Sequence, residues 1–118
     1  MAKNYKFPGS VIDITAAATL TSGQAAVVGT LLAVALVDIA NGSKGSAQID
    51  GVFELPKLST AVVANGAKLH WDVSAGEFIV AATAAGDLEN CAIAVAAAGN
   101  GATTVLAKLT PGSGALKA

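Results

Sequence analysis

The chain has 118 residues, of which 53% are hydrophobic, and its seven Lys and eight acidic residues leave a net charge of −1. Because it has no Arg and no basic run, it lacks the positive surface that neutralises phosphates and reads bases, so nucleic-acid binding is not expected. Val, Leu, Ile and Phe make up 32 residues, about 27% of the chain. This exceeds the roughly 20% below which disorder is the better interpretation, and the length fits one domain.

Cysteine content and hydropathy indicate the compartment. Cys91 is the only cysteine, so no internal disulfide can form, and its apolar neighbours predict an inert, buried thiol. The N-terminus has no apolar segment of the signal-peptide type. The least polar run, residues 25–37, is thirteen residues long, shorter than the roughly twenty that a membrane span needs. We expect a soluble protein with no membrane partner, made in a reducing cytoplasm and stable without disulfides or metals.

Residues 1–10 predict an extended N-terminal arm. Tyr5, Lys6 and Phe7 alternate in polarity, and the Pro-Gly pair that follows them interrupts any β ladder. Two interpretations stay open. The segment is either an edge strand or loosely tethered terminus, or an arm that reaches a partner protein. Two of the five aromatic residues lie here, which is a reason to keep the second interpretation.

Residues 11–110 predict a single β domain arranged around residues 31–56, which we expect to form one long hairpin. Before its turn, large side chains alternate with alanines, and after it apolar residues alternate with polar ones. The turn at residues 41–45 contains Asn and Gly, which tolerate positive φ. Period-two patterns and turn residues predict the other strands at 11–15, 25–29, 68–73, 77–83, 90–97 and 103–109.

A short helix is predicted over about residues 59–65, because Ser59 can cap its start and the Asn65-Gly66 pair can end it. Residues 111–118 have linker composition and predict a flexible C-terminal tail. The predicted fold class is all-β, a small antiparallel barrel or sandwich with this one helix and the extended arm.

A weak internal similarity links residues 32–42, LAVALVDIANG, with residues 91–101, CAIAVAAAGNG. The two segments share two Ala and the final Asn-Gly. Duplication of a β-hairpin unit and coincidence in an Ala-rich chain both stay open.

No arrangement of residues indicates a reaction. His70 shares a strand face with Asp72, but such i, i+2 neighbours rarely touch, so a solvated face is favoured over a catalytic pair. One His and one Cys far apart do not give zinc-site spacing. The turn at residues 42–46, GSKGS, fails the phosphate-loop pattern because Lys44 precedes Gly and a strand follows. We therefore predict no catalytic, cofactor-binding or metal-binding residues, no cofactor, no small-molecule substrate and no enzyme activity.

Four blocks covering nearly the whole chain carry a family resemblance: MAKNYKFPGSVIDITAAATLTSGQAAVVG, LLAVALVDIANGSKG, GVFELPKLSTAVVANGAKLHWD and NCAIAVAAAGNGATTVLAKL. The sequence resembles the small capsid cement, or head decoration, proteins of tailed bacteriophages and prophages, with residues 51–72 the most distinctive part. That family is sometimes labelled recombinase-like, and the missing phosphate-loop motif argues against the label.

The resemblance implies a β-rich domain on the outer capsid surface of the virion, synthesised in the host bacterial cytoplasm. It implies the major capsid protein as partner and self-association as a homotrimer that bridges capsid subunits, with a dimer or monomer as alternatives. Because the arm is a common place for such proteins to engage the capsid, Tyr5, Lys6 and Phe7 are the expected capsid contacts. The alternative function is a phage fibre or adhesin module that binds carbohydrate or a cell surface. The small number of aromatic residues argues against this alternative, because sugar sites usually rely on stacked aromatic rings and Trp71 and Tyr5 are far apart in the sequence.

Overall fold

The computed structural model of the chain describes Asn4 and residues 9–81 and 83–117. Within them the chain forms two sheets whose strands pair antiparallel. The ten strands of the described residues are β1 Val11–Thr15, β2 Ala25–Val28, β3 Leu31–Ala35, β4 Lys44–Gln48, β5 Gly51–Pro56, β6 Lys68–Asp72, β7 Glu77–Ile79, β8 Leu88–Ala94, β9 Thr104–Leu109 and β10 Ala115–Leu116. The first sheet has the order β1-β4-β3-β2. The second has the order β5-β9-β8-β6-β7, with β10 also paired to β8.

The second sheet curls into a half-barrel. Its end strands β5 and β7 approach each other. Just after β5, Lys57 forms a parallel bridge with Phe78 of β7, and the Leu58 N–H donates to the Phe78 carbonyl at 2.9 Å. The side chains of Leu69, Phe78 and Leu88 are fully buried. The predicted all-β class is confirmed, in the form of this half-barrel sheet with a second sheet beside it.

Strand β3 contributes to two hydrophobic cores. Its Leu32 and Val34 join the larger core with Trp71 and Phe78, while Ala33 and Ala35 belong to a smaller core built on Ile14, Leu20 and Ile39. The rings of Trp71 and Phe78 meet edge to face with their centroids 4.9 Å apart, an arrangement that the aromatic quadrupole favours. The large residues of β3 thus lie in the larger core and its alanines in the smaller one, so both faces of this strand are buried.

The single hairpin predicted for residues 31–56 is wrong beyond Gln48. Strand β3 does pair with β4, with Ala35 opposite Ala47, but β5 leaves for the second sheet and pairs with β9. The chain changes sheets at Gly51, whose φ of +111° suits glycine. The Asp50 carboxylate accepts from the Gly51 N–H at 2.8 Å and the Gln48 amide donates to the Asp50 carbonyl at 2.6 Å. These bonds fix the corner that hydrophobic alternation does not reveal.

The helix predicted over about residues 59–65 is also wrong. Val63 forms an antiparallel bridge with Ala98 through two backbone hydrogen bonds of 2.8 and 2.9 Å, and the Gly66 N–H donates to the Ala94 carbonyl at 2.7 Å. These bonds between segments distant in the sequence satisfy backbone groups that a helix would satisfy internally. A helix this short would also not recover the free-energy cost of its nucleation. In the part of the chain that the structure describes, no helix is long and apolar enough to cross a membrane.

The two sheets repeat one topology. The order β1-β4-β3-β2 in the first sheet matches β5-β9-β8-β6 in the second. With β7 set aside, the first, second, third and fourth strands of each half are β1 and β5, β2 and β6, β3 and β8, and β4 and β9. The connections match as well, since a bridge between Leu20 and Ile39 has its counterpart in the bridge between Val63 and Ala98. The structure therefore supports a duplication, and the repeated unit is four strands rather than a hairpin.

The weak internal similarity falls on equivalent positions of this duplication. Aligning residues 32–42 with 91–101 places Ile39 on Ala98, and both are bridge residues. It also places Gly42 on Gly101. The Gly42 N–H donates to the Ala16 carbonyl at 2.8 Å, and the Gly101 N–H donates to the Ser59 carbonyl at 2.7 Å. Both glycines have positive φ, so the same turn occurs in both halves.

The two ends of the chain differ in how far they are described. Residues 1–3 and 5–8 lie outside the described residues, so the predicted arm is not confirmed. The predicted C-terminal tail carries β10, and the Lys117 N–H donates to the Asp87 carbonyl at 2.8 Å. The division into an arm at 1–10, a β domain at 11–110 and a flexible tail at 111–118 stays a prediction.

Candidate interaction surfaces

The outer face of the half-barrel sheet carries exposed apolar side chains. Successive residues of β9 alternate between exposed and buried, so that Leu106 points outward and its neighbours Val105 and Ala107 point into the core. Val52 on β5 and Ile93 and Val95 on and just after β8 share the outer face. We call Val52, Ile93, Val95 and Leu106 the outer apolar patch.

The strand register connects these four residues through Leu106, with the Lys108 side chain lying between Val52 and Ile93. Val52 lies opposite Lys108, which in turn lies opposite Ile93, and the Val95 N–H donates to the Leu106 carbonyl at 3.0 Å. Side chains directly opposite or diagonal across such pairs lie within about 5–8 Å of each other. Val52 is 52% exposed, Leu106 43% and Val95 38%. Apolar residues clustered in this way on a surface mark a site of interaction more strongly than scattered ones.

Charged and polar side chains lie among and beside the residues of the patch. The Lys108 ammonium lies 3.0 Å from the Asp50 carboxylate, and its hydrogen bond, followed by that of the Gly51 N–H, holds the pKa of Asp50 below its ordinary value. The Thr104 hydroxyl donates to the Glu54 carboxylate at 3.2 Å. Protein–protein interfaces usually combine apolar residues with polar groups at their edges.

A second surface feature is a groove of about 410 Å³ beside strand β2. Its walls come from both sheets and are mostly apolar, with Ala25 and Val27 on one side and Trp71 and Val73 on the other. We call it the β2 groove.

His70 and Asp72, the residues considered for catalysis, have structural hydrogen bonds in and beside β6. The His70 Nδ1 accepts the N–H of Asn90 at 3.0 Å, and Asn90 has a φ of +58° next to the irregularity between β6 and β8. The Asp72 carboxylate accepts from the Ser74 hydroxyl at 2.7 Å. That bond, with those from the backbone N–H groups of Ser74 and Ala75, lowers the pKa of Asp72. Among the described residues, no group of three or more His, Cys, Asp or Glu could hold a metal ion.

The buried thiol predicted at Cys91 is confirmed. Its Sγ lies 3.7 Å from the Leu69 carbonyl, and burial raises the pKa of the thiol to about 12. Since the thiolate is the nucleophile, a thiol that stays protonated near neutral pH is poorly reactive.

Two buried charged residues escaped the sequence analysis. Lys57 donates from Nζ to the carbonyls of Leu58 at 2.7 Å and Ala61 at 2.6 Å. Asp87 accepts the N–H groups of Val73 at 3.2 Å and Ala84 at 2.9 Å. Each satisfies backbone groups in a connection of the second sheet, which is a structural role. No sequence signal marked them, because a lone charge beside a turn usually faces solvent.

The predicted contacts Tyr5, Lys6 and Phe7 lie outside the described residues. The structure therefore does not test them. The outer apolar patch was missed, because the sequence of β9 does not say whether Val105 or Leu106 faces the core.

Comparison with known proteins decides the family. A family model described as phage cement protein matches residues 7–109, which include both halves of the duplication. The chain belongs to the phage cement protein family. Membership confirms the resemblance drawn from the four sequence blocks, and it gives the protein a structural role in the capsid of a phage virion. No curated protein and no solved structure matches the chain.

Proposed function

We propose that the protein binds the outer surface of an assembled phage head and stabilises contacts between major capsid subunits, after synthesis in the host bacterial cytoplasm. The observation that carries this proposal is the outer apolar patch, with polar side chains among and beside it, on a cement-family chain whose two cores are built from other residues. A surface left over after the cores are complete is available to another chain.

The energetics suit a cement protein. A protein that binds only the assembled shell shifts the equilibrium towards that shell by mass action. A small patch gives modest affinity for one copy, but linked copies bind with increased avidity when their sites match the lattice. We propose a homotrimer bridging neighbouring capsid subunits as the unit that binds, and a dimer or monomer are the alternative outcomes of a mass measurement.

The arm residues Tyr5, Lys6 and Phe7 are proposed as a second capsid contact. Their aromatic side chains would add apolar area beyond the patch, and aromatic residues are enriched at the centres of interfaces. A variant lacking residues 2–9 tests the assignment, because heads should bind it more weakly than the full chain. Binding at full strength would remove the arm from the interface.

The alternative of a sugar-binding module is not favoured by the structure. Trp71 is the only tryptophan, and it is 5% exposed with its ring packed edge to face against Phe78. It therefore presents little aromatic surface on which a sugar could stack.

The experiment that tests the function is to mix purified protein with undecorated, expanded heads. We expect the protein to co-sediment with the heads and to raise the temperature at which they release their contents. Absence of both binding and protection at saturating protein would overturn the proposal.

A further inference from the structure

The two halves of the duplication differ at one edge. In the second half, β6 is covered on its outer side by β7, which pairs with it from His70 opposite Ile79 to Asp72 opposite Glu77. In the first half, the equivalent strand β2 ends the sheet, and among residues 9–81 and 83–117 no strand lies beyond it. The molecule itself thus shows what such an edge accepts, a short antiparallel strand.

The backbone of β2 is ready for such a strand. The Ala35 N–H donates to the Gln24 carbonyl at 2.9 Å, and the antiparallel pairing continues with Ala26 opposite Ala33. Because residues of an antiparallel strand alternate in the direction of their hydrogen bonds, Ala25 and Val27 direct their N–H and carbonyl groups away from β3. Within the described part of the chain, these groups have no backbone partner outside the strand pair. An open edge of this kind is a template for another segment.

The β2 groove supplies the apolar surface beside that edge. Ala25, Val27 and Trp71 line it, so a strand added to β2 would bury every second side chain there. In the second half of the molecule, β7 does this with Phe78, whose ring packs against Trp71. Main-chain hydrogen bonds combined with side-chain pockets are the basis of peptide binding by strand addition.

We propose that the β2 groove binds the N-terminal arm of a second copy of this chain as an added strand, with Tyr5 and Phe7 facing the groove. The two aromatic residues are spaced i, i+2, which puts both on one face of a strand. They would occupy a position equivalent to that of Phe78 on β7.

The arm of the same chain is too short to reach. The Ile49 N–H donates to the Ser10 carbonyl at 2.9 Å, which ties residue 10 to β4 at the far side of the first sheet. From there Phe7 can extend at most about 11 Å. A strand beyond β2 would lie four strand spacings, about 19 Å, from β1. The occupant is therefore the arm of another copy.

An arm passed from each copy to the next is a head-to-tail contact, which closes into a ring when the rotation permits. The docked arm would itself become the new edge of the sheet, so its open backbone edge and Lys6 would be left for the capsid while Tyr5 and Phe7 occupy the groove. The inference needs no capsid and can be tested on the protein alone.

The test uses Trp71, the only tryptophan, as a reporter inside the groove. A variant lacking residues 2–9 is titrated with a synthetic peptide of residues 1–9, MAKNYKFPG, and with a control peptide carrying Tyr5→Ser and Phe7→Ser. We expect a saturable change in Trp71 fluorescence with the native peptide and at least tenfold weaker binding of the control. No change with the native peptide, or equal binding of both peptides, would overturn the proposal.

Mass measurement in solution gives the second readout. The full chain should associate with increasing concentration, and the variant lacking residues 2–9 should remain monomeric. Ala25→Lys, which places a charge in the groove, should also be monomeric, whereas Val11→Lys on the opposite edge strand β1 should associate like the parent chain. A full chain that stays monomeric throughout would contradict docking between copies, whatever the peptide does.

Discussion

At the residue scale, Gly45 shows how closely the smaller core is packed. A Cβ added there would lie 2.5 Å from Cγ1 and 2.7 Å from Cδ1 of Ile39, a buried bridge residue. We predict that Gly45→Ala destabilises the fold by about 1–3 kcal/mol, the usual cost of overfilling a core. Gly99→Ala is the matched control, because nothing lies within 4 Å of a Cβ at that glycine. Thermal unfolding of both variants checks the prediction, and equal melting temperatures would contradict it.

Asp72 gives a pH dependence. The Ser74 hydroxyl, followed by the backbone N–H groups of Ser74 and Ala75, lowers the pKa of this carboxyl from its ordinary 3.8. A carboxyl with a depressed pKa in the folded state stabilises the protein above its unfolded pKa, and that stability is lost as pH falls through the folded value. We predict that Asp72→Asn is less stable than the parent chain at pH 7, that the difference shrinks as the pH falls below 3.8, and that it vanishes once the pH is below the depressed folded pKa.

The check for Asp72 is chemical denaturation of both proteins across this pH range. Asp13→Asn, which changes an exposed carboxyl on β1, serves as the control for the loss of one negative charge. A stability difference for Asp72→Asn that is the same at low and neutral pH would show that the carboxylate does not stabilise the turn.

At the element scale, Asp87 joins three segments of the second sheet. It accepts backbone N–H groups from Val73 and Ala84, and its own carbonyl accepts from Lys117 beside β10. We predict that Asp87→Ala costs about 1–3 kcal/mol, because it removes two hydrogen bonds from a buried carboxylate to part-buried backbone N–H groups. Amide hydrogen exchange should accelerate at Val73 and Ala84 but not at Ala33 in the first sheet. Unchanged exchange at all three amides would contradict this role.

The element scale also shows what the sequence could predict. Alternation located most strands because a half-buried strand repeats every two residues. It could not predict the change of sheet at Gly51, which depends on one positive φ and two local hydrogen bonds. Capping residues predicted a helix at residues 59–65, whereas the observed hydrogen bonds join Val63 to Ala98, a residue distant in the sequence. Long-range pairing decided both cases.

The candidate surface shows the same limit. Both Val105 and Leu106 are apolar, so only the pairing of β9 with β5 and β8 determines that Leu106 faces outward. The sequence predicted the family and an inert, buried Cys91. It could not predict the patch, because the grouping of its residues across three strands depends on their register.

At the scale of the whole molecule, the duplication explains how a chain of this length presents two different surfaces. Equivalent units form the two sheets, but the outer apolar patch lies on the second unit and the open edge of β2 on the first. In our proposals, the first of these surfaces binds the capsid and the second binds a neighbouring copy.

The patch gives a prediction on the assembled head. Leu106→Lys places a charge in its centre, and an interface core is depleted of charge because desolvation is costly. We predict that heads bind this variant at least tenfold more weakly than the parent chain. Val37→Lys is the matched control, since Val37 is similarly exposed but lies in the connection after β3 of the first sheet. Co-sedimentation with expanded heads measures both, and equal binding would exclude the patch from the interface.

The most direct test of the account is a cryo-electron microscopy map of heads decorated with the protein. The account predicts that Val52, Val95 and Leu106 lie in contact with the major capsid subunits and are removed from solvent. A map in which the head is decorated and these three side chains face solvent would contradict it.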